Sequence, residues 1–124
     1  MPLARVVPIL RSFSREAAVE FYIGYLGFSL DWEHRFAQGM PLYMQVSRDG
    51  VALHISEHHG DATPGSAVRI EMTGLRAFHA ELSAKRYKFA RPGLEEQEWG
   101  WLEVIVADPS GNRLVFCEKT GQAA

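Results

Sequence analysis

The chain has 124 residues, 47% of them apolar and 23% charged, with a formal net charge of −2. Such a composition fits one ordinary globular domain with a buried core and gives no electrostatic footprint for nucleic acid or an anionic membrane. Cys117 is the only cysteine, no stretch has the length of a bilayer span, and Met1-Pro2-Leu3-Ala4-Arg5 lacks the marks of a signal peptide. A reducing cytoplasm is the expected compartment.

Val6 to Leu10 is short, apolar and bounded by polar residues, so it reads as a strand. Pro8 within it favours an edge, or an arm exchanged with another subunit. Ser14 suits a helix N-cap. The apolar stripe that follows, Ala18, Phe21, Tyr22, Tyr25 and Leu26, has helical spacing. Gly27 is placed to end that helix in a left-handed conformation. Phe28 to Phe36 alternates, with Phe28, Leu30, Trp32, His34 and Phe36 on one side and Ser29, Asp31, Glu33 and Arg35 on the other. Leu42 to Ser47 is a third strand. Arg48-Asp49-Gly50 then makes a tight hairpin into Val51 to Glu57.

The order then begins again. Ala67 to Met72 reads as a strand, and Leu75, Phe78, His79 and Leu82 line one face of a second helix. Tyr87 to Ala90 is expected to be a short strand, and Pro92 to Glu98 an acidic, irregular segment. Trp101 to Ala107 and Arg113 to Glu118 are strands joined by Asp108-Pro109-Ser110-Gly111-Asn112, whose residues suit a type I turn. The fold class is therefore α+β: two βαβββ modules, about 1–60 and 66–120, in one domain over 1–124. Each module buries a helix on one face of a curved sheet, and the opposite faces are expected to frame a ligand cleft.

Leu53 to Asp61 gathers His54, His58, His59, Glu57 and Asp61 into one short stretch. In a strand over Val51 to Glu57, Val51, Leu53 and Ile55 share the apolar face. Ala52, His54 and Ser56 share the other, more open face. Only His54 is then held by regular structure, because His58, His59 and Asp61 fall in a loop marked by Gly60, Pro64 and Gly65. A metal site needs three or four ligands on a rigid frame. A solvated loop is the reading of His58 and His59 that this placement favours. The rival is an enzyme that uses His54 with His58, His59 or Glu57 as displaced metal ligands.

Glu20-Phe21-Tyr22-Ile23-Gly24-Tyr25-Leu26-Gly27-Phe28 resembles the "FY…LGF" signature of the vicinal oxygen chelate superfamily. Asp108-Pro109-Ser110-Gly111-Asn112-Arg113-Leu114 resembles its "DP-G-N" turn. With Val7-Pro8-Ile9-Leu10, Arg48-Asp49-Gly50 and Trp99-Gly100, the chain is most similar to the bleomycin resistance proteins of that superfamily. The resemblance implies the glyoxalase/bleomycin resistance fold over nearly the whole chain. It places the superfamily's metal-ligand positions at Val7, His54, about Ala67 and Val115, of which only His54 has a ligating side chain. It implies a protein that sequesters a drug without turnover or cofactor. It also implies a homodimer with an N-terminal strand exchanged about Pro8, and aromatic side chains stacking on a bleomycin-type ligand.

The candidate ligand contacts are Trp32, Phe36, Tyr43, His54, Ser56, Trp99, Trp101, Glu103 and Arg113. Most have a plainer reading. Trp32 and Phe36 are stacking walls or core on a half-buried strand. His54 lines the cleft or is an ordinary strand histidine. Trp99 and Trp101 face a ligand or pack at a subunit interface. Glu33, Glu57, Asp61, Glu95, Glu96, Glu98 and Glu103 are an acidic lining for a cationic ligand or solvated surface. Ser56 has no acid–base set beside it in sequence, so a nucleophile reading is weak. A binding module for another aromatic metabolite has the same sequence features.

Overall fold

The computed structural model describes residues 2–120. The chain divides into two units, Met1–Pro64 and Gly65–Ala124, each a strand, a helix and a three-stranded meander. The first contains β1 (Ile9–Arg11), α1 (Arg15–Ala18, continued as a π-helical segment Val19–Tyr25), β2 (Ser29–His34), β3 (Tyr43–Arg48) and β4 (Val51–Ser56). Its sheet runs β1-β4-β3-β2, with β1 parallel to β4 and the other pairs antiparallel. The second contains β5 (Ala67–Glu71), α2 (Leu75–Lys85), β6 (Glu95–Gln97), β7 (Trp101–Ala107) and β8 (Arg113–Lys119). Its sheet runs β5-β8-β7-β6, with β5 parallel to β8. This is the α+β class expected from the repeated pattern.

In the first unit the Ser14 hydroxyl accepts from the Ala17 amide at 3.2 Å and starts α1. The stripe Ala18, Phe21, Tyr22, Tyr25 and Leu26 is buried throughout. The widened π turn shows in the bond from the Leu26 amide to the Phe21 carbonyl, 2.9 Å across five residues. Gly27 then turns the chain at φ 77°, a conformation glycine adopts at little cost. Leu10, Met44, Val46, Leu53 and Ile55 supply the buried face of the sheet. Asp49 and Gly50, at φ 52° and 83°, have the two left-handed residues of a type I′ hairpin.

In the second unit Leu75, Phe78 and Leu82 of α2 are buried. Phe78 meets Phe116 of β8 edge-on, ring centroids 4.8 Å apart. No capping side chain stands at Gly74. Instead the Glu118 carboxylate, brought by β8, accepts from the Gly74 amide at 3.1 Å and the Leu75 amide at 2.9 Å. It satisfies donors that a helix start leaves open and opposes the positive end of the helix dipole. Glu118→Ala is expected to lower the unfolding free energy by about 1 kcal/mol, the usual value of an N-cap. Urea denaturation should show Glu118→Gln, which keeps one acceptor, between the two.

Four local expectations are corrected. β1 begins at Ile9, not Val6, since Pro8 has no amide for a ladder; its carbonyl still accepts from the His54 amide at 2.9 Å. Tyr87 to Ala90 is a turn, closed by the Ala90 amide on the Tyr87 carbonyl at 3.4 Å. Glu95–Gln97, expected to be irregular, is a strand paired with β7. Glutamate is poor in strands generally but tolerated at a sheet edge, where charge discourages further pairing. The strict alternation expected over Phe28 to Phe36 is broken by a register shift between Leu30 and Trp32.

Candidate ligand-binding site

That register shift builds the site. Leu30 pairs with buried Val46, but Trp32 pairs with Gln45, so the two no longer share a face. Across the sheet Gln45 pairs with His54, and His54 with Ile9. Trp32 thus joins the row Ile9–His54–Gln45, on the face opposite the core residues Met44 and Ile55. Its indole stacks on Tyr43, centroids 6.0 Å apart and planes 10° apart. His54 meets both rings edge-on, 5.4 Å from Trp32 and 5.1 Å from Tyr43. Trp32 keeps 43% of its surface exposed, so the cluster offers an open aromatic surface.

A polar chain underlies these rings. The Gln45 amide nitrogen donates to Asp31 Oδ2 at 2.9 Å. Hydrogen bonds from Gln45 and then Ser47 hold the Asp31 carboxyl below the ordinary carboxylate range. An ionised carboxylate only accepts, so the amide of Gln45 must point its NH₂ at Asp31 and its oxygen at His54. His54 Nε2, 2.9 Å from Gln45 Oε1, therefore carries the proton. Nδ1 is left as an acceptor, and it lies 2.7 Å from the Tyr43 hydroxyl, which donates to it. Burial, with a smaller effect from Arg5, pushes the His54 pKa down, which favours the neutral ring. Burial first, then the Asp61 carboxylate, pushes the Tyr43 phenol up.

The His54 shift sets a pH dependence. A histidine whose folded pKa is depressed is protonated first in the unfolded chain, so stability is full above about pH 6.5 and falls below it. Protonating Nδ1 also removes the acceptor of the Tyr43 hydroxyl. The urea midpoint should hold level from about pH 7 to 8 and drop as pH falls below about 6.5. His54→Gln should make that drop shallower. An identical pH profile in the variant would mean that other histidines cause it.

The carboxylates of the histidine-rich stretch are engaged locally. Ser56 is fully buried; its hydroxyl donates to Asp61 at 2.7 Å and accepts from the His58 amide at 3.0 Å. Glu57 accepts from the Leu42 amide at 2.9 Å and lies 3.5 Å from Arg35. The Arg11 guanidinium donates to the His58 carbonyl at 3.1 Å. Beside His54 on β1 stands Ile9, not Val7, and beside Val115 on β5 stands Arg69, not Ala67. Both His54 ring nitrogens are already engaged. Among the described residues no group of three or more His, Cys, Asp or Glu is placed to hold a metal ion. This donor set does not fit a divalent metal.

The remaining candidates make other contacts. Phe36, 77% exposed, follows β2 and packs on His34, centroids 5.1 Å apart. In the second unit Glu103 is buried, bonded to Arg69 at 2.7 Å and to Gln97 at 3.2 Å. The Arg69 guanidinium lies over Trp101, 5.7 Å from the ring centroid. Trp99 is exposed in the turn between β6 and β7. Arg113 pairs with Ala107 and Trp101 with Lys119, so Arg113 stands at the other end of the β7–β8 ladder, about 20 Å away at strand rise. Cys117 is a packed thiol whose pKa is raised by burial. Of the acidic candidates, Glu33 pairs with Arg15 at 2.9 Å, while Glu95, Glu96 and Glu98 are exposed. Gln45 and Arg69 carry no motif in the sequence, and strict alternation sets Asp31 on the side away from Trp32. The hairpin held the signal for Gln45: a two-residue turn at Asp49-Gly50 fixes Arg48 opposite Val51 and hence Gln45 opposite His54.

The paired βαβββ modules are those of the glyoxalase/bleomycin resistance fold. A family model described as "Glyoxalase superfamily protein" matches residues 1–122, and the chain belongs to that superfamily. Among solved structures it is similar to a bleomycin-binding protein complexed with bleomycin, at 21% identity, covering 94% of this chain and 99% of that one, TM-score 0.71. It is also similar to the bleomycin resistance determinant encoded on transposon Tn5, at 20% identity, 94% and 98% coverage, TM-score 0.72. An antibiotic-binding protein from Streptomyces sp. CB03234 matches at 20% identity, 96% and 98% coverage, TM-score 0.71. No curated protein matches the chain in sequence. Among the described residues no helix is long and apolar enough to cross a membrane.

Proposed function

We propose that the protein is a non-catalytic, metal-free, cytoplasmic binding protein that sequesters a planar, cationic small molecule of bleomycin type. The observation that carries this reading is the open Trp32–Tyr43–His54 surface, an aromatic platform without a fitting metal donor set. The similar folds of a bleomycin-binding protein and an antibiotic-binding protein support it. Trp32, Phe36, Tyr43 and His54 are the contacts proposed on the first unit, with Ser56 holding the Asp61 loop behind them. Trp99, Trp101 and Glu103 are those proposed on the second, with Arg69 beside Trp101; Arg113, at the far end of the β7–β8 ladder, is not among them.

Titration with metal-free and copper-loaded bleomycin, followed by tryptophan fluorescence, tests this. Saturable quenching is expected, with drug recovered unmodified after denaturation at no more than a fixed ratio to protein. Sequestration lowers free drug by mass action only up to that capacity, so expression should protect a sensitive host in proportion to protein. Chemically altered drug would overturn sequestration in favour of an enzyme. Absence of quenching would move the reading to another aromatic metabolite.

The active form is proposed to be a homodimer with its N-terminal arm exchanged. In the arm before Pro8, Leu3 is 99% and Val6 90% exposed, an uncovered apolar segment of the kind that seeks a partner. Sedimentation should show a dimer at micromolar concentration. Removing Pro2–Val7 spares β1 and should give monomers or aggregates. A stable full-length monomer would end the arm-exchange proposal.

A further inference from the structure

We infer that Tyr43 is a specificity-determining residue: its phenol oxygen offers the ligand an acceptor only, so the site selects molecules that present an N–H or O–H donor at the edge of their aromatic ring. The inference rests on the reading of the Trp32 face as a ligand site. It goes beyond that reading by giving the face a hydrogen-bonding sign.

The sign follows from one residue at the end of the chain. Asp31 accepts at 2.9 Å from the Gln45 amide nitrogen, which fixes the amide orientation. The Gln45 oxygen then accepts from His54 Nε2 at 2.9 Å, which fixes the tautomer. His54 Nδ1 finally takes the Tyr43 proton at 2.7 Å. Each link has one direction because a carboxylate and an amide oxygen cannot donate. The phenol has a single hydrogen, and His54 has it. What remains on the oxygen is lone pairs, next to the Trp32 ring that would carry the stacked ligand. The Asp61 carboxylate acts on the same phenol and adds negative potential beside it.

Asp31 is then a positioning residue. It acts through Gln45, and it decides which way every bond of the Asp31–Gln45–His54–Tyr43 relay points. With an amide in its place, Gln45 can turn over, His54 can carry its proton on Nδ1, and the Tyr43 hydroxyl is released to donate.

Two isosteric probes, indole with an N–H and benzofuran with an ether oxygen, test the preference by ligand-observed nuclear magnetic resonance. Wild type should bind indole about three- to ten-fold more tightly, the effect of one hydrogen bond. Tyr43→Phe should weaken indole alone and bring the ratio close to one. Asp31→Asn should reduce the ratio while leaving the sum of stacking contacts, read from benzofuran, unchanged. Nitrogen-15 spectra of His54 in the free protein give a readout that needs no ligand: Nε2 protonated and Nδ1 bare in wild type, with the Nδ1–H form appearing in Asp31→Asn. A wild-type ring protonated on Nδ1 would overturn the inference whatever binds. Equal affinity for the two probes, or an indole preference unchanged in Tyr43→Phe, would also overturn it. The expected tautomer with no probe bound would overturn it too, and would place the failure in the ligand-site reading and not in the hydrogen-bond chain.

Discussion

Asp108→Ala is expected to cost about 2–4 kcal/mol of stability. Asp108 Oδ1 accepts from the Ser110 amide at 2.9 Å and the Asn112 amide at 2.8 Å. Oδ2 accepts from the Asn112 side-chain amide at 2.9 Å. The backbone closes around them, Gly111 amide to Asp108 carbonyl at 3.1 Å and Asp108 amide to Asn112 carbonyl at 2.8 Å. Asn112 is fully buried and Asp108 nearly so. Removing the carboxylate strands the two buried Asn112 donors, backbone and side chain, and each such group costs about 1–3 kcal/mol. Asp108→Asn keeps one acceptor oxygen and sets an NH₂ among donors, so an intermediate loss is expected. The check is urea unfolding, with hydrogen exchange at the β7–β8 amides as a local readout. A change below about 0.5 kcal/mol in Asp108→Ala would show that the turn is held by its backbone bonds alone.

The fold was legible because its signals are local and repeated. The stripe from Ala18 to Leu26, the hairpin at Asp49-Gly50 and the Asp108–Asn112 turn each fix a conformation from a few neighbouring residues. What escaped depends on partners far along the chain. Glu95-Glu96-Gln97 has no strand propensity of its own and becomes one through its pairing with β7. The Gly74 helix start has no capping residue nearby because Glu118, more than forty residues on, does that work. The same distinction divides the site. Period-two alternation places His54 on the open face, and Trp32 and Tyr43 are aromatic candidates on composition. That Trp32 joins them required the shift at Asp31, which no alternation pattern announces. Strict alternation sets Trp32 with Leu30 and Asp31 on the far side, whereas in the sheet Asp31 and Trp32 serve one face together. The histidine-rich stretch misleads in the opposite way: its residues are close in sequence, but Ser56, Glu57 and Asp61 are committed to holding their own loop.

Trp32→Ala is expected to weaken bleomycin binding by about 30- to 150-fold with little change in stability. The indole is half exposed at the end of the row, stacked on one side against Tyr43. A ligand ring packed on the exposed part of the indole, within reach of the Tyr43 oxygen, buries on the order of 100 Å² of apolar surface, about 2.5 kcal/mol at the usual coefficient. Stacking geometry adds about 0.5–1.5 kcal/mol. Some of this sum is offset by ordering the ligand, which leaves about 2–3 kcal/mol, or the stated factor. β2 is an edge strand whose other residues are largely exposed, so truncating Trp32 opens no sealed cavity and the unfolding midpoint should move little. Trp32→Phe should recover most of the affinity, because a smaller ring still stacks. The quenching that survives in Trp32→Ala must come from Trp99 and Trp101, and adding Trp101→Ala shows whether the second unit contributes. Isothermal titration of the purified variants against metal-free bleomycin gives the numbers without relying on the fluorophore being removed. Affinity within two-fold of wild type in Trp32→Ala would make the aromatic cluster structural and take away the observation on which the binding proposal stands.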